Sequence, residues 1–227
     1  MPDHTIFNER PESQDRALKV IEKLGYTIVP RSEAEKKRGS RRAVLFGEEL
    51  RSFLSHQTYQ FGAEQRYFSG GSIAKAMQTV DQFSAAGLYA ENKAIYELLC
   101  AGKSMEEDLP DGTRQSFDLS FIDFEHPENN TFQVTDEFEV ERPNGKFARP
   151  DIVVLVNGIP LVVIECKKSS VDVMEGVNQN IRNWGEEYIP HLFRYAQLVL
   201  AVNPDKVLYS TCGTPAKYFV SWHEDDK

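Results

Sequence analysis

The sequence predicts a mixed α/β fold in which a mixed β-sheet is flanked by helices, and three observations predict it. Apolar residues at helical spacing dominate the first half of the chain. Alternating or wholly apolar strand patterns dominate the second half, and one further helix pattern interrupts them. Helices that come before and between strands are expected to pack on the faces of the sheet that those strands build.

The helical segments share apolar residues three or four positions apart. In the first of them Leu18 and Ile21 lie on one face, and Gly25 ends the pattern. The last helix is weakened by Gly176 and Gly185, because glycine is a poor helix former. The patterns place helices over residues 13–24, 48–57, 72–87, 90–102 and 171–188.

The strand segments are of two kinds. Residues 116–124 and 131–141 alternate apolar and polar side chains on either side of a turn cluster, HPENN. Later segments are apolar without alternation, as in strands that are buried on both faces. The patterns place strands over residues 26–30, 116–124, 131–141, 152–156, 159–164, 195–203 and 206–211.

Length and composition predict one sizeable folded domain. The chain has 227 residues, of which 41% are hydrophobic and 11% aromatic, enough for a substantial core. Three widely spaced cysteines fit a reduced protein better than a disulfide framework. No apolar stretch is long enough to cross a membrane, and the polar N-terminus does not resemble a secretory signal. We therefore expect a cytoplasmic protein with no membrane partner.

The net charge of −9 argues against a generic basic nucleic-acid binder. Any nucleic-acid role is expected to be local, metal-assisted or shared with another domain. Basic side chains are concentrated in residues 35–42, EKKRGSRR. This run is either a phosphate-facing patch or a solvated loop, and composition alone favours the loop.

Residues 149–168, RPDIVVLVNGIPLVVIECKK, combine two apolar runs with charge at one end. Such runs belong in the middle of a sheet, and Asn157-Gly158 between them is a hairpin turn signal. Glu165 and Lys167 are two residues apart, so they point to the same face of the second strand. An acid and a lysine are costly to bury there unless they have a chemical role.

The turn decides whether Asp151, at the start of the first run, joins this pair. A two-residue turn would pair Asp151 with Ile164 and place Asp151 and Glu165 on opposite faces. A three-residue loop that ends in Gly158 would pair Asp151 with Val163 and bring the charged side chains to one face. A shared site requires this second register, or a β-bulge with the same effect.

Asp151 and Glu165, if they converge, would form a site for a hard divalent cation such as Mg²⁺, and the main-chain carbonyl of Cys166 would add an oxygen ligand. Such an ion polarises a phosphodiester and lowers the pKa of a bound water. Lys167 beside it would offset the negative charge of the transition state. The alternative is an exposed salt bridge at a strand end. The unbroken apolar hairpin favours the first interpretation, a nuclease site, over this alternative.

Pro150-Asp151 followed by Glu165-Cys166-Lys167 resembles the motif of the PD-(D/E)xK nuclease superfamily. The wider segments RPDIVVLVNGIPLVVIECKKS, NQN, IPHLFRYAQLVLAVN and GTPAKYFVSW, in this order, resemble the N-terminal endonuclease domain of type I restriction enzyme R (motor, HsdR) subunits. The resemblance extends over residues 12–222 and is strongest over 118–222. It implies a restriction-endonuclease-like core.

Residue by residue, the resemblance implies that Asp151 and Glu165 are metal ligands and that Lys167 is the catalytic lysine. The family also has a Gln-x-x-x-Tyr motif on the following helix, near DNA and the active site, which makes Gln179 a further catalytic residue. The tyrosine position holds Asn183 here, so this half of the motif departs from the family.

Two further groups of residues are candidates. An acid on the first helix often completes such sites, and both Glu12 and Asp15 qualify; helix capping and dipole compensation is the interpretation we favour for them. The residues expected to contact DNA are basic: Lys36, Lys37, Arg38, Lys168 and Arg182.

The resemblance implies a Mg²⁺-dependent endonuclease of a type I restriction-modification system, a phage defence that cuts double-stranded DNA away from the recognition site. Its partners would be DNA and the methyltransferase (M) and specificity (S) subunits. The sequence has no P-loop motif, so ATP is expected to bind only in motor domains outside this chain. Two alternatives stay open: a free-standing nuclease of repair or resolvase type, and a catalytically inactive interaction domain.

The order of elements predicts two parts. Residues 1–110 are expected to form a mainly helical part that packs on the core, and residues 111–227 the nuclease core itself. Helicase and translocase domains are absent from this sequence. The chain is therefore expected to be an isolated nuclease domain or a piece of a longer protein.

Overall fold

The computed structural model describes residues 12–82 and 87–222. The α-helices are α1 Glu12–Lys23, α2 Arg31–Arg38, α3 Gly47–Ser55, α4 Gly70–Asp81, α5 Leu88–Ala101, α6 Val173–Asn183 and α7 Pro190–Phe193. The strands are β1 Thr27–Ile28, β2 Thr58–Phe61, β3 Glu64–Tyr67, β4 Lys103–Asp108, β5 Arg114–Leu119, β6 Phe132–Asp136, β7 Val140–Glu141, β8 Phe147–Ala148, β9 Ile152–Val156, β10 Ile159–Cys166, β11 Leu198–Val202, β12 Val207–Ser210 and β13 Val220–Ser221.

A mixed sheet organises the described residues, with seven strands in the order β1-β6-β9-β10-β11-β12-β13. The β9–β10 hairpin is antiparallel and lies in the middle; β11 joins β10 in parallel, and β6 lies antiparallel to β9. Strand β1 extends one edge in parallel, and β12 and β13 extend the other. The predicted mixed sheet flanked by helices is therefore confirmed.

Helices cover both faces of this sheet. On one face α1 packs Leu18 against a cluster that includes Ile152 and Ile164. On the other face α6 packs Val177 against Ala201. The largest apolar cluster joins the side chains of β9 and β10 on this second face to α3, α4, α5 and α7. Every residue of β9 is buried, as expected for a strand covered on both faces.

The basic run 35–42 is not a simple solvated loop, because its first half belongs to α2. Pro30 precedes this helix, and Gly39 ends it with a left-handed φ of 72°. Two i,i+4 ion pairs support the helix, from Arg31 to Glu35 and from Lys37 to Glu33.

Other elements have bounds that differ from the predicted ones. The segment 131–141 is two strands rather than one, because Glu137 turns the chain with a positive φ of 48°. The strand predicted over 116–124 ends at Leu119. No sequence pattern predicted α2, α7, β2, β3, β4, β8 or β13. Residues 83–86 of the helix predicted over 72–87 lie outside the described residues.

The two predicted parts, residues 1–110 and 111–227, are joined by strand pairing. Strand β1, from within residues 1–110, pairs with β6, and the β4–β5 hairpin spans residue 110. No helix within the described ranges is long and apolar enough to span a membrane.

Candidate active site

The central hairpin turns on two residues and not on a three-residue loop, which was one of the two arrangements that would give a shared site. Asn157 and Gly158 both have positive φ, 50° and 79°. The buried Asn157 side chain accepts a hydrogen bond from the Thr131 amide at 2.8 Å and donates one to the Phe121 carbonyl at 3.0 Å. These contacts fix the turn against the neighbouring chain.

A β-bulge at Leu161 then supplies the register that a shared site requires. Beyond the bulge Ile164 pairs with Ile152. Continuing the ladder by one residue on each strand places Asp151 directly opposite Glu165. Residues opposite each other in an antiparallel pair share a face, so the bulge has the effect that the three-residue loop would have had.

The two carboxyl groups face each other across the strand pair, and Asp151 is close enough to raise the pKa of Glu165. Asp151 Oδ2 accepts a hydrogen bond from the Cys166 amide at 2.7 Å. The Cys166 side chain packs on the opposite face, in the α1 cluster. Since the N–H and C=O of one strand residue face the same neighbouring strand, the Cys166 carbonyl is also directed toward β9.

Glu165 is fully buried, and burial is the main reason that its pKa is raised well above the usual range. Repulsion from Asp151 adds to this rise, whereas Lys167 and Arg182 lower the pKa. Glu165 Oε1 accepts a hydrogen bond from Asn183 Nδ2 at 3.1 Å. Its other oxygen, Oε2, is buried and receives no hydrogen bond from the described residues.

Helix α6 holds the charged side chains of Glu165, in β10, and Lys167, just after it. Lys167 Nζ donates to Gln179 Oε1 at 2.6 Å, and Asn183, one turn further along, donates to Glu165. Four helical residues advance about 6 Å, and two strand residues advance roughly 6.6 Å. Positions i and i+4 of the helix can therefore meet positions i and i+2 of a strand that runs the opposite way.

Gly176 lets α6 lie close to the strands. A Cβ on Gly176 would lie 3.0 Å from the Cβ of Ala201 and 3.5 Å from the carbonyl oxygen of Glu165. The helix begins at Asp172, whose side chain accepts a hydrogen bond from the Met174 amide. Gly176, which weakens the helix pattern in the sequence, is thus explained by close packing.

The first helix reaches the site from the other face of the sheet. Ser13 Oγ donates to the Lys167 carbonyl at 2.8 Å, and Gln14 Nε2 donates to the Asp151 carbonyl at 3.2 Å. Both side chains are buried. They hold the main chain of the two strands that carry the charged residues.

Sequence reasoning missed Ser13 and Gln14, because such residues are ordinary at the start of a helix and carry no distinguishing signal. The acids it considered on α1 are placed differently. Glu12 is exposed and pairs with Arg16 at 2.5 Å, and Asp15 is exposed as well. The buried side chains of this first turn are an amide and a hydroxyl, not an acid.

The expected DNA contacts divide into two sets. The expectation for Arg38 is corrected, because this residue is buried, stacks on Phe138 and donates to the Glu139 carbonyl at 2.9 Å. Lys37 is half-buried and forms an ion pair with Glu49. The other expected contacts are exposed: Lys36, Lys168 and Arg182.

Within residues 12–82 and 87–222, no three His, Cys, Asp or Glu side chains lie close enough to hold a metal ion by themselves. The protein offers two carboxylates, Asp151 and Glu165. That number fits Mg²⁺, which keeps several waters and takes one or two carboxylates together with phosphate oxygens. The unsatisfied Glu165 Oε2 is a further sign of fit, since a cation would give this buried oxygen a partner and favour the ionised carboxylate.

A hairpin buried at the centre of a mixed sheet, with facing carboxylates and a lysine at one end, defines a restriction-endonuclease-like protein. More particularly, the chain belongs to the family of the type I restriction enzyme R protein N terminus, whose model matches residues 6–218. The family that the sequence resembles is thus confirmed.

Two relatives illustrate the similarity. The chain is 26% identical to the type I restriction enzyme HindI endonuclease subunit of Haemophilus influenzae, over 98% of this chain and 21% of the relative. It is 41% identical to the SsaAORF53P endonuclease subunit of Staphylococcus saprophyticus, over 37% of this chain and 9% of the relative. The chain therefore spans about a fifth or less of the length of these relatives.

Proposed function

We propose that this chain is the nuclease part of a type I restriction enzyme and hydrolyses phosphodiester bonds of double-stranded DNA with Mg²⁺. The observation that carries the proposal is the register of the hairpin, which places Asp151 opposite Glu165 at its end, with Lys167 on the same face. The relatives are named type I restriction enzyme endonuclease subunits, which supports this reaction class.

Asp151, Glu165 and the Cys166 carbonyl would hold the ion. When bound, Mg²⁺ supplies Lewis-acid polarisation of the phosphodiester and a more acidic bound water. Asp151 is fixed for this role by the Cys166 amide, and Glu165 by Asn183. Each acid thus has one oxygen held by the protein, so the carboxylates are oriented before any ligand arrives.

Lys167 would act on the substrate. Its Nζ is held by Gln179 Oε1 at 2.6 Å, on the same face as the carboxylates. From there the ammonium group can orient the attacking water and offset the charge that develops on the phosphate. Gln179 is then a positioning residue for Lys167, because its described contact is with the lysine.

The wider role follows from the family. We propose that the enzyme cuts away from its recognition site, because a specificity (S) subunit and a methyltransferase (M) subunit read the DNA and motor domains outside this chain use ATP. Such an arrangement also accounts for an acidic nuclease part, since other parts of the complex would hold the DNA.

Two measurements test the proposed function. We expect Asp151→Asn and Glu165→Gln to abolish the rise in thermal unfolding midpoint that Mg²⁺ gives this chain, because ligand binding to the folded state is lost. We expect Lys167→Ala to retain that rise. All three should reduce plasmid cleavage by the complete restriction complex by about a hundredfold or more.

Glu12→Gln is the matched control, since it removes an exposed carboxylate from the nearby helix α1. It should leave both the Mg²⁺-dependent shift and cleavage unchanged. Cleavage that persists in two of the three site variants would refute these roles. A Mg²⁺ shift that survives Asp151→Asn and Glu165→Gln together would refute the metal site.

A further inference from the structure

Arg142 and Arg182 reach the surface, lie over the same aromatic ring and are not beside a carboxylate, whereas the stacked Arg38 is buried. Arg142 Cζ is 3.9 Å from the ring centre of Tyr188, and Arg182 Cζ is 5.4 Å from the same centre. Neither arginine forms an ion pair with any acid of the described residues. By contrast, the neighbouring Arg42 pairs with Glu141 at 2.8 Å.

This arrangement leaves positive charge uncompensated on a molecule whose net charge is −9. Arg182 is exposed, and Arg142 and Tyr188 are half-buried at the surface. Stacking on a ring holds a guanidinium flat and leaves its N–H groups directed outward, where they match the oxygens of a phosphate. The Arg142 Nε is also held by the Glu187 carbonyl at 3.1 Å.

The cluster borders the candidate active site from two segments. Arg182 directly precedes Asn183, which donates a hydrogen bond to Glu165 at 3.1 Å. Arg142 begins the turn of the β7–β8 hairpin, and the chain continues from β8 to Asp151. Both arginines therefore lie on segments that adjoin the elements carrying the carboxylates.

A groove continues the same surface. It has a volume of about 1330 Å³ and is lined by Arg142, by α2 with its exposed Lys36, and by the start of α7. Glu141 also lines it, but this carboxylate is paired with Arg42, so the positive charge of the groove comes mainly from Lys36 and Arg142. A concave surface of this sign favours a polyanion.

We infer that Arg142, Tyr188 and Arg182 form a contact for the phosphate backbone of duplex DNA beside the scissile bond. This inference rests on the proposed function and identifies the surface that would hold the DNA at the active site. Backbone contacts fix the position of a duplex without reading its sequence, which suits a nuclease whose site is chosen elsewhere. Tyr188 is the positioning residue that holds the two guanidinium groups.

Binding of a short fluorescein-labelled duplex to this chain, followed by anisotropy in EDTA at several KCl concentrations, tests the inference. Each phosphate contact contributes about 0.9 to the slope of log affinity against log salt. Arg142→Ala and Arg182→Ala should each weaken binding and reduce that slope by about one. Arg142→Lys should keep the slope, and Arg42→Ala, a matched loss of an ion-paired arginine, should change little.

Variants of Tyr188 distinguish the effect of stacking from the effect of charge. Tyr188→Phe should bind like the wild type, whereas Tyr188→Ala should weaken binding although no charge is lost. The inference would be overturned if Arg42→Ala and Arg142→Ala lost equal DNA affinity. It would also be overturned if Arg142→Ala and Arg182→Ala left the slope against salt unchanged. A wild type that binds no duplex at the lowest salt, or losses seen with a labelled poly-glutamate peptide but not with DNA, would overturn it as well.

The outcome is independent of chemistry, because no divalent ion is present in this assay. Salt-dependent binding through Arg142 and Arg182 by a protein that never cleaves DNA would retain this contact and refute the proposed nuclease. Full cleavage and unchanged DNA binding after loss of both arginines would refute this contact and leave the proposed nuclease function standing.

Discussion

At the scale of single residues, Asn183 explains how this site accommodates a departure from the family motif. It stands where the Gln-x-x-x-Tyr pattern has a tyrosine, and its amide donates to the buried Glu165 at 3.1 Å. A donor on a buried carboxylate selects one orientation of that group. With Oε1 held in this way, Oε2 is the oxygen left for a cation.

We expect Asn183→Ala and Asn183→Leu to weaken Mg²⁺ binding by about tenfold or more, because supporting hydrogen bonds commonly have that effect on metal affinity. The leucine variant keeps the volume and lacks the donor, so it separates the hydrogen bond from packing. Isothermal titration with Mg²⁺ measures the change, and Asn178→Ala, exposed on the same helix, is the control. Wild-type affinity in Asn183→Leu would show that the donor has no such role.

At the scale of elements, the hairpin shows where sequence reasoning succeeds and where it stops. Burial on both faces follows from the apolar runs, so the central position of β9 and β10 was predictable. The bulge at Leu161 was not, because an uninterrupted apolar run reads the same in either register. Only the chemistry of Asp151 and Glu165 indicated that such a shift was needed.

Short and exposed elements were missed for a different reason. Strands β2 and β3 carry mainly polar, exposed residues and pair only with each other, so no apolar pattern marks them. In the segment 131–141 the alternation continues through Glu137, where the main chain leaves the strand conformation. Around the site, Gln14 and Asn183 act through tertiary contacts that a single sequence does not reveal.

The turn of the hairpin gives a prediction on stability. A Cβ on Gly158 would lie 2.4 Å from the Phe46 carbonyl oxygen, in addition to requiring a positive φ. We expect Gly158→Ala to lower the free energy of unfolding by about 4 kcal/mol or more, the range of severe core disruption. Urea unfolding monitored by circular dichroism measures this loss.

Gly112 provides the control for the left-handed backbone alone. Its φ is 82°, and a Cβ there would meet no atom within 4 Å. Gly112→Ala should therefore cost only about 1–2 kcal/mol, the strain of the left-handed conformation. Similar losses in the two variants would mean that the close approach of Phe46 to the turn is not a constraint.

At the scale of the whole molecule, several basic residues around α2 form ion pairs within the protein. Arg31 reaches Glu137 and Glu139, and Arg41 also pairs with Glu139. These contacts tie α2 to the segment that leads to β7. The basic run that the sequence suggested as a phosphate-facing patch thus serves in large part to hold this segment, which pairs with the main chain at Asp151.

The buried acid makes the stability of the whole protein depend on pH in a defined direction. Because burial raises the pKa of Glu165 in the folded state, the folded protein binds a proton that the unfolded chain has released. The corresponding stability is fully present below about pH 4.3, the ordinary pKa of glutamate, and is lost as pH rises through the folded-state pKa.

In EDTA, the difference in free energy of unfolding between Glu165→Gln and the wild type should therefore grow with pH across this range. Glu12→Gln, which removes an exposed acid, should follow the wild type. Denaturant unfolding at a series of pH values measures all three proteins, and parallel curves for Glu165→Gln and wild type would show that Glu165 is ionised in the folded protein as readily as in the unfolded chain.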